Sequence, residues 1–255
     1  MRSTFKKLSR VIPAFIYLLT VSLTLPTTAY AMHITEGFLP MGWAAFWFVV
    51  TAPFFLLGLN SIRKTVNSNP SLKMLLGLVG AFAFVLSSLK LPSVSGSCSH
   101  PTGVGLGAIM FGPMVMTVLG SIVLIFQAVL LAHGGITTLG ANTFSMGVVG
   151  PIVSYLVYRT AKKLGLSLGV SVFLAAALGN ISTYITTALE LGLAFPAQPG
   201  GVVVSVAKFL GIFAFTQLPL AVSEGILTVV VVNILNTYNK RELQELSVLT
   251  KEAEA

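Results

Sequence analysis

Long apolar runs alternate with short polar breaks along most of the chain, and the runs have membrane length. Beyond residue 31 they fall at about Gly42–Asn60, Lys73–Leu89, Gly103–Ala132, Asn142–Tyr158, Leu166–Leu191 and Val203–Leu235. A helix needs roughly 20 apolar residues to cross a hydrocarbon core. Gly103–Ala132 is long for one crossing and short for two, and Phe111-Gly112-Pro113 interrupts it. Proline removes a backbone donor that neighbouring protein must replace. The pattern therefore predicts two short or tilted helices meeting near Gly112-Pro113, and a kink at Pro219 in the last run. The expected fold class is all-α: a polytopic membrane protein with about seven transmembrane helices.

The first 31 residues follow a different plan. Arg2, Lys6, Lys7 and Arg10 precede an apolar stretch from about Val11 to Leu25, Pro26-Thr27-Thr28 breaks it, and Ala29-Tyr30-Ala31 has small residues at the cleavage positions. This is the layout of a removable signal peptide. Three segments are expected: a cleavable signal peptide at 1–31, a transmembrane domain at 32–239, and a charged cytoplasmic tail at 240–255.

Charge then orients the helices. The net charge is +8, but only 9% of residues are charged, and most of the basic ones flank apolar runs. With an outside N-terminus and seven crossings, Arg63/Lys64/Lys73, Arg159/Lys162/Lys163 and Lys240/Arg241 all fall in the cytoplasm, the usual positive-inside bias. Basic charge so placed speaks for a cell (inner) membrane with lipid around it and against nucleic acid. A single crossing at Gly103–Ala132 would put Arg159–Lys163 outside.

The same topology gathers the candidate chemistry on the outer face. The three histidines of the chain, His33, His100 and His133, all fall there. Cleavage after Ala31 makes Met32 the first residue and His33 the second. The α-amine of Met32, the His33 amide nitrogen and His33 Nδ1 then close one five- and one six-membered chelate ring, close to a plane. A fourth nitrogen from His100 completes a square, a geometry suited to Ni²⁺ or Cu²⁺ and open to low-spin Co²⁺. His100 sits in a turn fixed by Pro101 and Gly103. His133, before Gly134-Gly135, is expected in a structural or second-shell role, as are Glu36 and the only cysteine, Cys98. Glu190 and Glu224 lie in apolar segments, where an ionisable group is a functional candidate by default. All seven acids are glutamate, which disfavours a carboxylate cage for a hard cation. There is no phosphate loop and no H-E-x-x-H, so neither ATP hydrolysis nor another enzymatic activity is expected of this chain, and no organic cofactor.

Five stretches carry a family resemblance: Met32-His-Ile-Thr-Glu-Gly-Phe-Leu-Pro40, Gly96-Ser-Cys-Ser-His-Pro-Thr-Gly103, Ala132-His-Gly-Gly-Ile-Thr-Thr-Leu-Gly-Ala-Asn142, Phe144-Ser-Met-Gly with Gly150-Pro151, and Thr216-Gln-Leu-Pro-Leu with Glu224-Gly225. From Met32 to about Asn239 the chain resembles the CbiM family, the cobalt-specific substrate-binding components of energy-coupling factor transporters. The resemblance implies Co²⁺ import for cobalamin biosynthesis, with a small membrane subunit CbiN, a transmembrane coupling protein CbiQ and an ATPase CbiO as partners. It also implies a metal site at Met32, His33 and His100, by likeness to the related nickel components. The residues by themselves leave cobalt, nickel and copper open, and a membrane metal-binding or sensing protein that does not transport is the alternative. Shorter family members begin at the Met-His pair, so this chain needs cleavage to expose it.

Overall fold

A computed structural model describes residues 33–92 and 98–248. Met32, the signal segment and residues 249–255 lie outside the described residues. The helices are α1 (Met41–Ser68), α2 (Leu72–Ser88), α3 (Val104–Phe111), α4 (Pro113–Leu131), α5 (Leu139–Lys163), α6 (Leu168–Ala194), α7 (Gly201–Tyr238) and α8 (Lys240–Glu245). A two-residue antiparallel pairing, Leu91–Pro92 with Cys98–Ser99, closes the loop before His100. The fold is an all-α polytopic membrane architecture, as its sequence predicts.

Five helices, α1, α4, α5, α6 and α7, are long and apolar enough to cross a membrane. Their outward faces are apolar, with side chains such as Val49, Leu57, Val129, Val203 and Phe215 exposed, as lipid contact requires. The 17-residue α2 is a shorter apolar helix. The break at Gly112-Pro113 is where the sequence put it. Gly112 adopts φ 85°, and Pro113 opens α4 at a first-turn position that needs no N–H. The two halves are unequal. The 8 residues of α3 rise only about 12 Å, too little to span alone, and Val104–Met110 are all buried among the other helices. Gly105 lets α3 sit against α6: a Cβ there would come within 2.8 Å of Ala176 Cα. The segment is thus a short buried helix, α3, followed by a membrane-length one, α4.

Phe144–Val149 of α5 is a π-helical turn. Pro151 withholds the amide that would bond the Gly147 carbonyl in a regular helix, and the Thr117 hydroxyl of α4 donates to that carbonyl at 2.9 Å. The irregularity is satisfied from the neighbouring helix, as non-aqueous surroundings demand.

The start of the charged tail is packed. Leu243 and Val248 are buried, the Tyr158 hydroxyl donates to the Val248 carbonyl at 2.9 Å, and Asn69 Nδ2 donates to Glu245 at 2.6 Å. The basic helix ends of α1, α5 and α7 therefore share one end of the bundle. The opposite end holds the histidines.

Candidate metal centre

Residues 33–40 form an irregular strap ahead of α1, and its conformation is dictated by polar side chains of α5. The Ile34 amide donates to Asn142 Oδ1 at 2.8 Å, and Asn142 Nδ2 donates back to the Ile34 carbonyl at 2.9 Å. The Thr138 hydroxyl donates to the same carbonyl at 2.7 Å. The Ile34 side chain is buried among Leu39, Ala141, Tyr184, Leu191 and Phe213. With the next residue fixed by backbone and side chain, His33 has little freedom.

Glu36 makes the second clasp. Its carboxylate accepts from the Ile136 amide and, at 3.2 Å, from the Thr137 amide, while the Glu36 amide donates to the Gly134 carbonyl at 3.1 Å. Thr137 above all, and the Ile136 amide, hold the carboxyl below the usual range. Gly135 permits this approach, because a Cβ there would lie 2.5 Å from Glu36 Cα. Glu36 is exposed and joins two loops at the edge of the centre.

His133 arrives by a reversal after α4. Ala132 takes a left-handed conformation (φ 47°), and the amides of Ala132 and His133 both donate to the Gln127 carbonyl. This turn folds His133 back over the last turn of α4. Nearby, Lys90 Nζ donates to the Leu131 carbonyl at 2.9 Å.

His100 is held from below. Glu224 on α7 accepts from the Thr102 amide at 2.6 Å, the Thr102 hydroxyl at 2.9 Å, the Gly103 amide at 2.9 Å and Asn180 Nδ2 at 2.7 Å. Gln217 Nε2 donates to Asn180 Oδ1 at 2.6 Å and to the His100 carbonyl at 3.3 Å. Ser99 and Thr216 share a 2.7 Å hydroxyl contact. Gly103 adopts φ +69° against Ala83, a conformation that L side chains rarely take.

Together these elements bring the three histidines into one group. Ring centroids are 4.5 Å apart for His33–His100 and 5.0 Å for His33–His133 and His100–His133. One ligand nitrogen from each lies within 4.8 Å of the others, and all three residues are buried. His100 Nδ1 lies 2.8 Å from the Pro101 carbonyl. A carbonyl only accepts, so Nδ1 carries the proton and Nε2 presents a bare lone pair. That Nε2 is buried without a hydrogen-bond partner, as are both ring nitrogens of His33. Burial depresses the affinity of all three rings for protons. For His33 the neighbouring His100 and His133 add to it, against an opposing contribution from the Gln127 side chain. His100 is lowered to about 4 by burial, opposed by its bond to Pro101 and aided by Lys90. His133 is lowered to about 2 by burial, then by His100 and Lys90. Three buried imidazoles that burial keeps neutral, each with one ring nitrogen close to the other two, have the donor chemistry of a transition-metal centre.

The family model for cobalt uptake substrate-specific transmembrane regions, CbiM, matches residues 33–242. The chain belongs to the CbiM family. It is thereby a membrane component of cobalt uptake. It is 66% identical over 234 residues to the cobalt transport protein CbiM of Moorella thermoacetica, covering 92% of this chain and 90% of that one. The cobalt transport protein CbiM of Nostoc is 59% identical over 227 residues, 89% of this chain and 87% of the relative. Among solved structures, a truncated transition metal transporter superposes with a TM-score of 0.69 at 27% identity, covering 81% of this chain and 99% of the other. A second transition metal transporter gives 0.70 at 26% identity, over 82% and 94% of the two chains.

The centre gathers two of the expected ligands, His33 and His100, and places His133 at the same distance from each. Cys98 enters through its backbone pairing with Pro92. Glu224 anchors the His100 loop. Asn142, Thr138, Asn180, Gln217 and Gln127 position the centre without having been singled out in sequence. Their common signal is a side-chain amide or hydroxyl within or beside a long apolar run.

Proposed function

We propose that this CbiM-family chain captures Co²⁺ at the outer membrane face as the substrate-binding component of an ATP-driven importer of the energy-coupling factor type. Signal cleavage after Ala31 exposes the α-amine of Met32. That amine, the His33 amide nitrogen, His33 Nδ1 and His100 Nε2 supply four nitrogens, and His133 supplies a further one from the side. The observation that carries the reading is the convergence of three buried imidazoles whose ligand nitrogens lie within 4.8 Å of one another. The basic helix ends are gathered at the opposite end of the bundle, which supports an outside N-terminus and a cytoplasmic C-terminus. Release inward requires that the metal bind two states of the transporter with different free energies. ATP hydrolysis belongs to a CbiO-like partner, acting through CbiQ- and CbiN-like membrane subunits, and the imported metal serves cobalamin biosynthesis.

Co²⁺ titration of the purified mature chain tests the site, with Ni²⁺ as competitor. Intact mass should begin the chain at Met32. His33→Ala and His100→Ala should each abolish high-affinity binding while leaving the protein inserted, and His133→Ala should weaken it. Wild-type Co²⁺ affinity in the first two variants refutes the site, and tighter Ni²⁺ than Co²⁺ binding reassigns the cargo.

A further inference from the structure

At the end of the bundle away from the histidines, α1 outlasts the helix it packs on. The two meet at Gly58, where an added Cβ would strike the Met114 carbonyl oxygen and the Val118 side chain. Met114 follows directly on Pro113, the first residue of α4, so α4 begins at about this level. The longer α1 runs on to Ser68, about 15 Å further. The overhang leaves a cavity of about 460 Å³ between the last turns of α1 and the start of α4.

Its walls change character along α1. Leu57 of α1 and Met114 of α4 supply the apolar part. Beyond them α1 turns polar: Asn60, Lys64 and Asn67 recur at helical spacing along one face, with Ser61 and Arg63 beside them. Every charged side chain that lines the cavity is a cation. Among the described residues neither Arg63 nor Lys64 forms an ion pair. A carboxylate does reach the end of α1, but Glu245 accepts from Asn69 Nδ2 at 2.6 Å and lies 3.6 Å from Arg241, and it does not line the cavity. The first turn of α4 has the same polarity, since it carries no side-chain cap and its amides have no intrahelical acceptor.

Such a lining takes an anion, and its level in the membrane decides which. The apolar surface of α1 continues through the exposed Leu56 and Leu57 and stops at Asn60, so the cavity straddles the boundary between hydrocarbon and headgroups. A lipid seated there lays its first acyl carbons on Leu57 and Met114 and brings its phosphate to Arg63, Lys64 and the side-chain amides. A zwitterionic headgroup would set a third cation against two; an anionic one would not. We propose that this cavity is a binding site for the phosphodiester headgroup of an anionic phospholipid in the leaflet at the basic end of the bundle. The site is separate from the histidine centre and does not depend on what that centre binds.

Lipid binding to the purified full-length protein in neutral detergent, counted by native mass spectrometry, tests the assignment. Phosphatidylglycerol should bind more tightly than phosphatidylcholine with the same acyl chains, and millimolar inorganic phosphate should not displace it. Arg63→Gln with Lys64→Gln should weaken phosphatidylglycerol binding about fivefold for each charge removed and leave phosphatidylcholine binding unchanged. Lys162→Gln with Lys163→Gln takes the same charge from the same end, away from the cavity, and should keep the preference. All four side chains are exposed, so the lipid-free melting temperatures of both double variants should match the wild type. Equal affinity of the wild type for the two lipids overturns the proposal and leaves the cationic lining to an acidic segment of a partner subunit. Equal losses in the two double variants overturn it as well, because binding then follows the general positive field rather than the cavity. Displacement of the lipid by inorganic phosphate assigns the cavity to the free anion instead.

Discussion

Asn142 gives the sharpest test of how the strap is held, because it touches no candidate ligand. Replacing it with alanine removes the acceptor of the Ile34 amide at 2.8 Å and one of two donors to the Ile34 carbonyl. The consequences are unequal. The amide loses its partner in a buried site, about 1–3 kcal/mol, whereas the carbonyl keeps the Thr138 hydroxyl at 2.7 Å and loses a net bond of about 0.5–1.5 kcal/mol. The sum, roughly 2–4 kcal/mol, falls on the docking of residues 33–36. If metal binds only the docked strap, Co²⁺ affinity falls by that amount, about 30- to 700-fold at 1.4 kcal/mol per decade. Isothermal titration in nanodiscs measures the affinity, and hydrogen exchange at Ile34 reports the docking. Thr138→Val alone should cost less, since Asn142 still brackets Ile34. The double variant should cost more than the two single changes added, because each residue backs up the other at one carbonyl. Affinity within threefold of wild type in Asn142→Ala, with the Ile34 amide protected, refutes the reasoning.

Two further outcomes follow from the same geometry. Glu224→Gln leaves one acceptor oxygen where the carboxylate serves Thr102, Gly103 and Asn180. At least one buried donor loses its partner, the melting temperature should drop, and Co²⁺ affinity should fall with it; an unchanged melting temperature would show that this bracket does not hold the His100 loop. The pH dependence of the metal-free protein has a definite sign. The three imidazoles have folded-state proton affinities below the ordinary value near 6.5, so the unfolded chain binds more protons than the folded one below that pH. Their contribution to stability is complete above about pH 6.5 and is lost as pH falls toward the folded values, at up to about 1.4 kcal/mol per unit for each ring. Thermal melts in detergent at pH 7.5 and 5.0 should show a lower midpoint at 5.0, reduced in His100→Ala; a flat or rising midpoint contradicts neutral burial.

The apolar runs made the helices legible, because in lipid a helix must satisfy its own backbone and must be long. They also marked the break at Gly112-Pro113, since proline cannot continue a helix without help. The depth of α3 was not legible: its burial depends on Gly105 meeting Ala176 of α6, a contact no local pattern carries. The same holds for the site. His33 and His100 stood out because a histidine just behind an expected cleavage site and a Ser-His-Pro turn have local chemistry. His133 did not, because its membership depends on the left-handed turn at Ala132, at a residue that ordinarily avoids that conformation. Asn142 and Asn180 were hidden for a related reason. Each sits in a helix, and its partner lies far off in sequence, 108 residues for Asn142–Ile34 and 44 for Asn180–Glu224.

The longest helix has a mechanical consequence. At 38 residues, α7 is about 57 Å long, running from the histidine end to the basic end where α8 packs. Thr216, Gln217 and Glu224 grip the His100 loop from its middle, and Pro219 lies between them, where the Phe215 carbonyl loses its regular amide donor. The helix is therefore a lever with its softest joint beside its load. A turn imposed at the basic end reaches His100 as a displacement of its carbonyl and ring.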